Sequence, residues 1–182
     1  SLILAHGFGQ MTATGALIKR LALILAAMVI AYNTSLILAD WKNAEPLPYL
    51  LGRQTREQYL AKHIPAFPIY QAMNRTLSDK DIALFVYMRN LGYLCEKKFI
   101  SDSLFEAHTL KTILTRDASV EGIARQMRQR GITYLMFDND FVFGNNPAFA
   151  PDQLNALKHF LNSRAKLVEW KNGFYLFHFM LD

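Results

Sequence analysis

Residues 21–39 read LALILAAMVIAYNTSLILA, nineteen positions without a formal charge between Arg20 and Asp40. As a helix this run reaches roughly 28 Å, close to the hydrocarbon thickness of a bilayer. The expected element is a transmembrane helix, and the rest of the chain is placed relative to it. Asn33, Thr34 and Ser35 break the apolar run, and each needs a hydrogen-bond partner in lipid; a neighbouring helix is one source.

Outward from that run on the amino-terminal side, Lys19 and Arg20 precede the apolar residues with no acid nearby, whereas Lys42 follows among Asp40 and Glu45. Positive-inside counting therefore puts the amino-terminal flank in the cytoplasm and residues 41–182 on the extracytoplasmic side of the inner (plasma) membrane. The same basic flank and apolar stretch also fit a secretory signal, with Ile37 and Ala39 permitting cleavage before Asp40. Both readings export the remainder of the chain. The opening SLILAHGFG reads as cut from something longer, with Met11 as the alternative start. Trp41 and Tyr49 are the expected interfacial anchors.

On the other side, Pro46, Pro48 and Gly52 discourage continuation of the helix, so residues 40–54 are the expected juxtamembrane linker. Thr55 and Gln58 form a capping-box pattern before a short helix that ends ahead of Pro65, and a second helix is expected over Phe67–Leu77 with Ile69, Tyr70 and Met73 on one side. Ser78–Asp81 reads as a turn. The expected organisation is a membrane segment at 1–40, a linker with short helices at 41–80 and an extracytoplasmic domain at 81–182.

From Ile82 the pattern becomes α/β. IALFVYM (82–88) suits a strand buried on both faces, and Leu94–Ile100 a second. Ser103 with Glu106 predicts a capped helix through Leu114, and Ser119–Arg130 a further helix whose Val120, Ile123, Ala124 and Met127 share a face. Gly131 supplies the left-handed stop, and ITYLMF then reads as a buried strand. FGNNP marks a loop over Asp138–Ala150. Pro151 opens a helix to Arg164 with Leu154, Leu157 and Leu161 as its apolar stripe. AKLVEW and FYLFHFM close the chain as a hairpin through Lys171, Asn172 and Gly173, the Asn-Gly pair favouring a tight primed turn. The expected fold is α/β: one amino-terminal transmembrane helix, then a small layered domain with a mixed sheet and a carboxyl-terminal hairpin.

Composition narrows the function classes. The net charge of +5 is spread without a block of like charges, so no nucleic-acid footprint is visible. Cys95 is the only cysteine, which excludes an intramolecular disulfide and a Cys-based zinc site. His63, His108, His159 and His178 have no metal-ligand spacing. The phosphate-cradling patterns GxGxxG and GxxxxGK[ST] and the nucleophile elbow GxSxG are missing. No metal and no cofactor is expected. Asp138 and Asp140 follow a strand, where α/β folds place ligands, although carboxylates there also cap turns. Arg89 and Tyr93 follow the first strand and could meet a phosphate or sugar, or only fix the turn. These four are the candidate substrate-binding residues. Asn33-Thr34-Ser35 and Asn74-Arg75-Thr76 match the N-glycosylation acceptor pattern by chance.

GRQTREQYL (52–60), Pro65, Tyr70 and Asn74, then Arg89 with Gly92 and Tyr93, GITYLMFD (131–138) and FYLF (174–177) form a recurring pattern. Together they resemble the last membrane helix and carboxyl-terminal extracytoplasmic domain of bacterial multi-spanning glycosyltransferases related to the dolichyl-phosphate-mannose protein mannosyltransferases. The resemblance implies a polyprenyl-phosphate sugar donor and catalytic acids in an early extracytoplasmic loop that this chain does not contain. It carries over no catalytic residue. It implies a non-catalytic domain whose partners are the lipid bilayer, upstream membrane helices of the same protein, and a lipid-linked sugar or its acceptor. The alternative is a membrane-anchored or secreted binding domain with no associated enzymatic activity.

Overall fold

The computed structural model describes residues 2–102 and 106–180, with the side chains of residues 2–14 and of Leu17 excepted. The chain forms two compact units, Ser1–Arg56 and Glu57–Asp182.

The first unit is dominated by one helix, α1 (Leu2–Ala44), which extends beyond the charge-free run at both ends. Within it, Ile18–Ala44 is long and apolar enough to cross a membrane, an 18-residue stretch of it reaching a mean hydropathy of 2.2. Every residue from Leu21 to Asn43 is exposed. Asn33 and Ser35 take their partners from their own helix. The Asn33 amide donates to the Val29 carbonyl at 2.8 Å, and the Ser35 hydroxyl to the Tyr32 carbonyl at 2.7 Å. Such back-bonding satisfies a polar side chain without a second helix. The linker expected from Asp40 is shorter, because α1 continues through Trp41 and Lys42 to Ala44. Glu45 then adopts a left-handed conformation (φ 41°), and Pro46 opens a second helix, α2 (Pro46–Leu50), at a position where its missing N–H costs nothing.

The second unit begins with α3 (Arg56–His63) and α4 (Phe67–Thr76), counting the boundary residue Arg56 with its helix. A mixed five-stranded sheet comes next, of β1 (Ala83–Val86), β2 (Phe99–Ser101), β3 (Tyr134–Asp138), β4 (Ala165–Lys171) and β5 (Phe174–Phe179). Its spatial order is β2-β1-β3-β5-β4. β1 is parallel to both β2 and β3, whereas β5 is antiparallel to β3 and β4, so the βα portion is parallel and the closing hairpin antiparallel. Asn172 (φ 52°) and Gly173 (φ 84°) make the primed turn that Asn-Gly favours.

Alternation along the strands divides the core. Leu84, Val86, Leu135 and Phe137 pack against α5 (His108–Arg116), α6 (Val120–Gln129) and α8 (Pro151–Arg164). Ala83, Phe85, Tyr134 and Met136 face α4 through Ile69, Tyr70 and Met73. Both faces of β1 and β3 are therefore buried, which explains their continuous apolar runs. The expected stripe of α6 is present: Ile123, Ala124 and Met127 are buried, and Ser119 caps the helix by accepting the Gly122 N–H at 3.0 Å.

Two local expectations are corrected, and a third lies partly outside the described residues. Leu94–Ile100 is not one strand, because Gly92–Leu94 forms a 3₁₀ turn and only Phe99–Ser101 pairs with β1. The Asn74 side chain is the reason: its amide donates to the Leu94 carbonyl at 3.0 Å and its oxygen accepts the Glu96 N–H at 2.9 Å. Those backbone groups have no need of a strand neighbour. The same contacts engage both the amide nitrogen and the oxygen of Asn74, a structural role for this side chain. The loop after β3 also contains a short helix, α7 (Asn139–Val142). Finally, Ser103 lies outside the described residues, so its capping box is not observed, and α5 starts only at His108. Asp102 does the capping there, accepting the Thr109 N–H at 2.7 Å and its hydroxyl at 2.8 Å.

Candidate functional site

The connection from β1 leads outward to β2, and that from β3 leads outward through α8 to the hairpin. The carboxyl ends of these two neighbouring parallel strands therefore flank a topological switch point. Open α/β sheets place ligands in the crevice outside such a point. Val86 at the end of β1 pairs with Phe137, one residue before the end of β3.

Beyond β1 the backbone is unusual. Tyr87 (φ 56°) and Arg89 (φ 53°) both occupy the left-handed region, which a bulky side chain rarely adopts. Strain of this kind persists only where surrounding contacts fix it. Here Tyr87 donates its N–H to the Glu106 carbonyl at 3.1 Å. Its ring stacks on Phe141 at 5.1 Å between centroids and meets the edge of Phe149 at 6.4 Å.

Across the crevice, Asp138 ends β3 and is buried, one of the few polar residues that are. Its carboxylate accepts the Asp140 N–H at 3.0 Å and caps α7. Burial raises the Asp138 pKa; the Asp140 N–H bond counters that, the Asp140 charge adds to it, and the Arg89 charge opposes it. Arg89 follows the end of β1 and Asp138 ends the neighbouring β3, and Asp138 bonds directly only to Asp140 among the candidates. Burial also raises the Tyr87 phenol, with Glu106 adding to the shift.

Tyr93 stands apart in the 3₁₀ turn and is 70% exposed. Among the described residues, no hydrogen bond or ring contact joins it to the other three candidates. The neighbouring Tyr70 cluster is apolar, and burial drives the Tyr70 phenol far above its usual range. Cys95 is partly buried and bonds the Lys97 backbone in both directions, a structural role. His63 packs on Tyr59 and His178 on Tyr134, each with ring centroids 4.6 Å apart. Among the described residues, no group of three or more His, Cys, Asp or Glu gathers to hold a metal ion.

Sequence reasoning misses Tyr87 and Phe141. Nothing in IALFVYM marks its tyrosine as leaving the strand, and Phe141 belongs to a helix inside the expected loop. The one available signal is the aromatic lodged directly after Asp140. The segments after the two strand ends carry an exposed guanidinium at Arg89, a buried and an exposed carboxylate at Asp138 and Asp140, and a ring pair at Tyr87 and Phe141. Carboxylates and a guanidinium suit hydroxyl or phosphate groups, and the partly exposed Phe141 ring suits an apolar face.

No family model matches the sequence, and none of the curated proteins does. Among solved structures, the C-terminal globular domain of an oligosaccharyltransferase from Archaeoglobus fulgidus is similar, with a TM-score of 0.43 and 10% identity over 69% of this chain and 98% of that one. No family is assigned on that likeness.

Proposed function

We propose that the α/β unit is the non-catalytic extracytoplasmic domain of an integral-membrane glycosyltransferase that draws its sugar from a polyprenyl-phosphate donor. The observation that carries this reading is the apolar segment Ile18–Ala44, exposed from Leu21 to Asn43 and followed by an α/β unit. The sequence pattern from Gly52 to Phe177 supplies the enzyme class. In this reading Lys19 and Arg20 face the cytoplasm, and the crevice of Arg89, Asp138 and Asp140 holds a sugar or phosphate of the acceptor or of the lipid-linked donor. Chemistry resides in an acidic loop elsewhere in the enzyme.

A reporter fused after Asp182 tests the topology. An enzyme that works only outside the inner membrane is expected to be active there, and activity of a cytoplasm-only reporter would contradict the exported domain. Amino-terminal sequencing of the mature protein accompanies it. A chain beginning at Asp40 would convert the anchor to a cleaved signal and favour a secreted binding domain.

A further inference from the structure

The segment just past the apolar span is unlike an ordinary linker. Glu45 turns the chain through a left-handed residue, and no side chain of the α2 that follows is fully buried. Leu47, Leu50 and Leu51 are 53%, 63% and 62% exposed. They fall at i, i+3 and i+4, so one face of this short helical turn is apolar. Trp41, Lys42, Glu45, Pro46, Leu47 and Pro48 line an open groove of about 340 Å³ in the bend itself. Three leucines left exposed among the described residues, a few positions past a membrane-length helix, call for a covering of their own.

We infer that this elbow, Trp41–Leu51, is seated in the interfacial zone of the bilayer, as a second membrane contact that lies along the surface after the helix has crossed it. The inference rests on the membrane-spanning reading and adds to it. Three features favour lipid as the occupant. The surface is continuous with the apolar span and lies in the same compact unit. Its large residues are Trp, Tyr and Leu, the amphipathic and apolar types that populate the headgroup boundary. Lys42 and Arg53 bracket it and are exposed, cations placed to meet headgroup phosphates.

The test uses the full chain in phosphatidylcholine–phosphatidylglycerol nanodiscs, with Cys95→Ser to remove the native thiol and one nitroxide label at a time on Leu50→Cys, Val29→Cys or Lys166→Cys. Collisions with oxygen and with a water-soluble nickel chelate are compared by power saturation. Val29 lies in the middle of the span and Lys166 on an exposed strand, so they bracket lipid and water. The expected oxygen-to-nickel ratio at Leu50 is well above that at Lys166 and below that at Val29. A Leu50 ratio equal to that of Lys166, with Val29 still lipid-buried, would overturn the elbow and leave the span intact. A label at Leu50 shielded from both reagents would assign the surface to protein and equally overturn it. A water-like ratio at Val29 would remove the membrane-spanning reading itself. Substituting Leu47, Leu50 and Leu51 together by Asp gives a second readout: the Trp41 emission of a Trp170→Phe chain is expected to shift to the red in the same nanodiscs, and an unchanged spectrum would count against interfacial seating.

Discussion

The Asp138 carboxylate accepts the Asp140 backbone N–H at 3.0 Å, so one member of the acidic pair at the end of β3 caps the helix that carries the other. The two aspartates are therefore unequal. Asp138 is buried and structural, whereas Asp140 is exposed.

Asp138 should give the stability curve a definite sign with pH. Burial raises its folded-state pKa, so the folded chain holds this proton more tightly than the unfolded chain does. The associated stability is complete below the ordinary carboxylate value of about 3.9 and is lost as pH rises through the raised folded value. Asp138→Asn keeps an oxygen for the Asp140 N–H without the charge. Urea titrations between about pH 3 and pH 7 should show wild type losing stability relative to this variant as pH rises. A difference that is flat with pH, or that grows in favour of wild type, would refute the assignment. Asp138→Ala removes the cap as well, and should cost about 1 kcal/mol more than Asn.

Asn74 offers a separate check on how the sheet is built. It holds Leu94 and Glu96 by two backbone contacts at 3.0 and 2.9 Å. Asn74→Ala leaves both groups without these partners, and chemical denaturation should show a loss of about 1–3 kcal/mol. A loss below a few tenths would mean that solvent replaces the side chain and that 94–96 is not held by it.

The second unit should stand without the first. Both of its hydrophobic clusters draw only on residues from Leu60 onward. Residues 57–182, produced alone, should stay soluble and unfold in one cooperative transition by circular dichroism. Aggregation with no cooperative transition would show that the core needs α1 or α2.

Much of this fold is legible in the sequence because the decisive residues act locally. Ser119 capping α6, Gly131 stopping it (φ 69°), Pro151 opening α8 and Asn172-Gly173 turning the hairpin all work within a few positions. The buried strands declare themselves through runs apolar on both faces. What escapes depends on partners far along the chain: Asn74 reaching twenty residues to Leu94, or Tyr87 forced into a left-handed conformation between Glu106 and Phe141. The candidate site is legible only in part for the same reason. Arg89 and the pair Asp138 and Asp140 sit at or just past the ends of the neighbouring strands β1 and β3, whereas Tyr93, four residues beyond Arg89, sits in a 3₁₀ turn.

The central claim is that this domain assists chemistry performed elsewhere in the enzyme. It is tested most directly by replacing Asp138 and Asp140 together with Asn in the whole membrane protein and measuring sugar transfer from a polyprenyl-phosphate donor in reconstituted membranes. With the protein shown to be folded and inserted, transfer should fall by less than about tenfold, equivalent to about 1.4 kcal/mol and the scale of one peripheral polar contact. The fall should be recovered at high acceptor concentration. A loss of about 10²- to 10⁴-fold that acceptor does not relieve is what removal of a general acid or base produces, and it would place the active site at the end of this sheet.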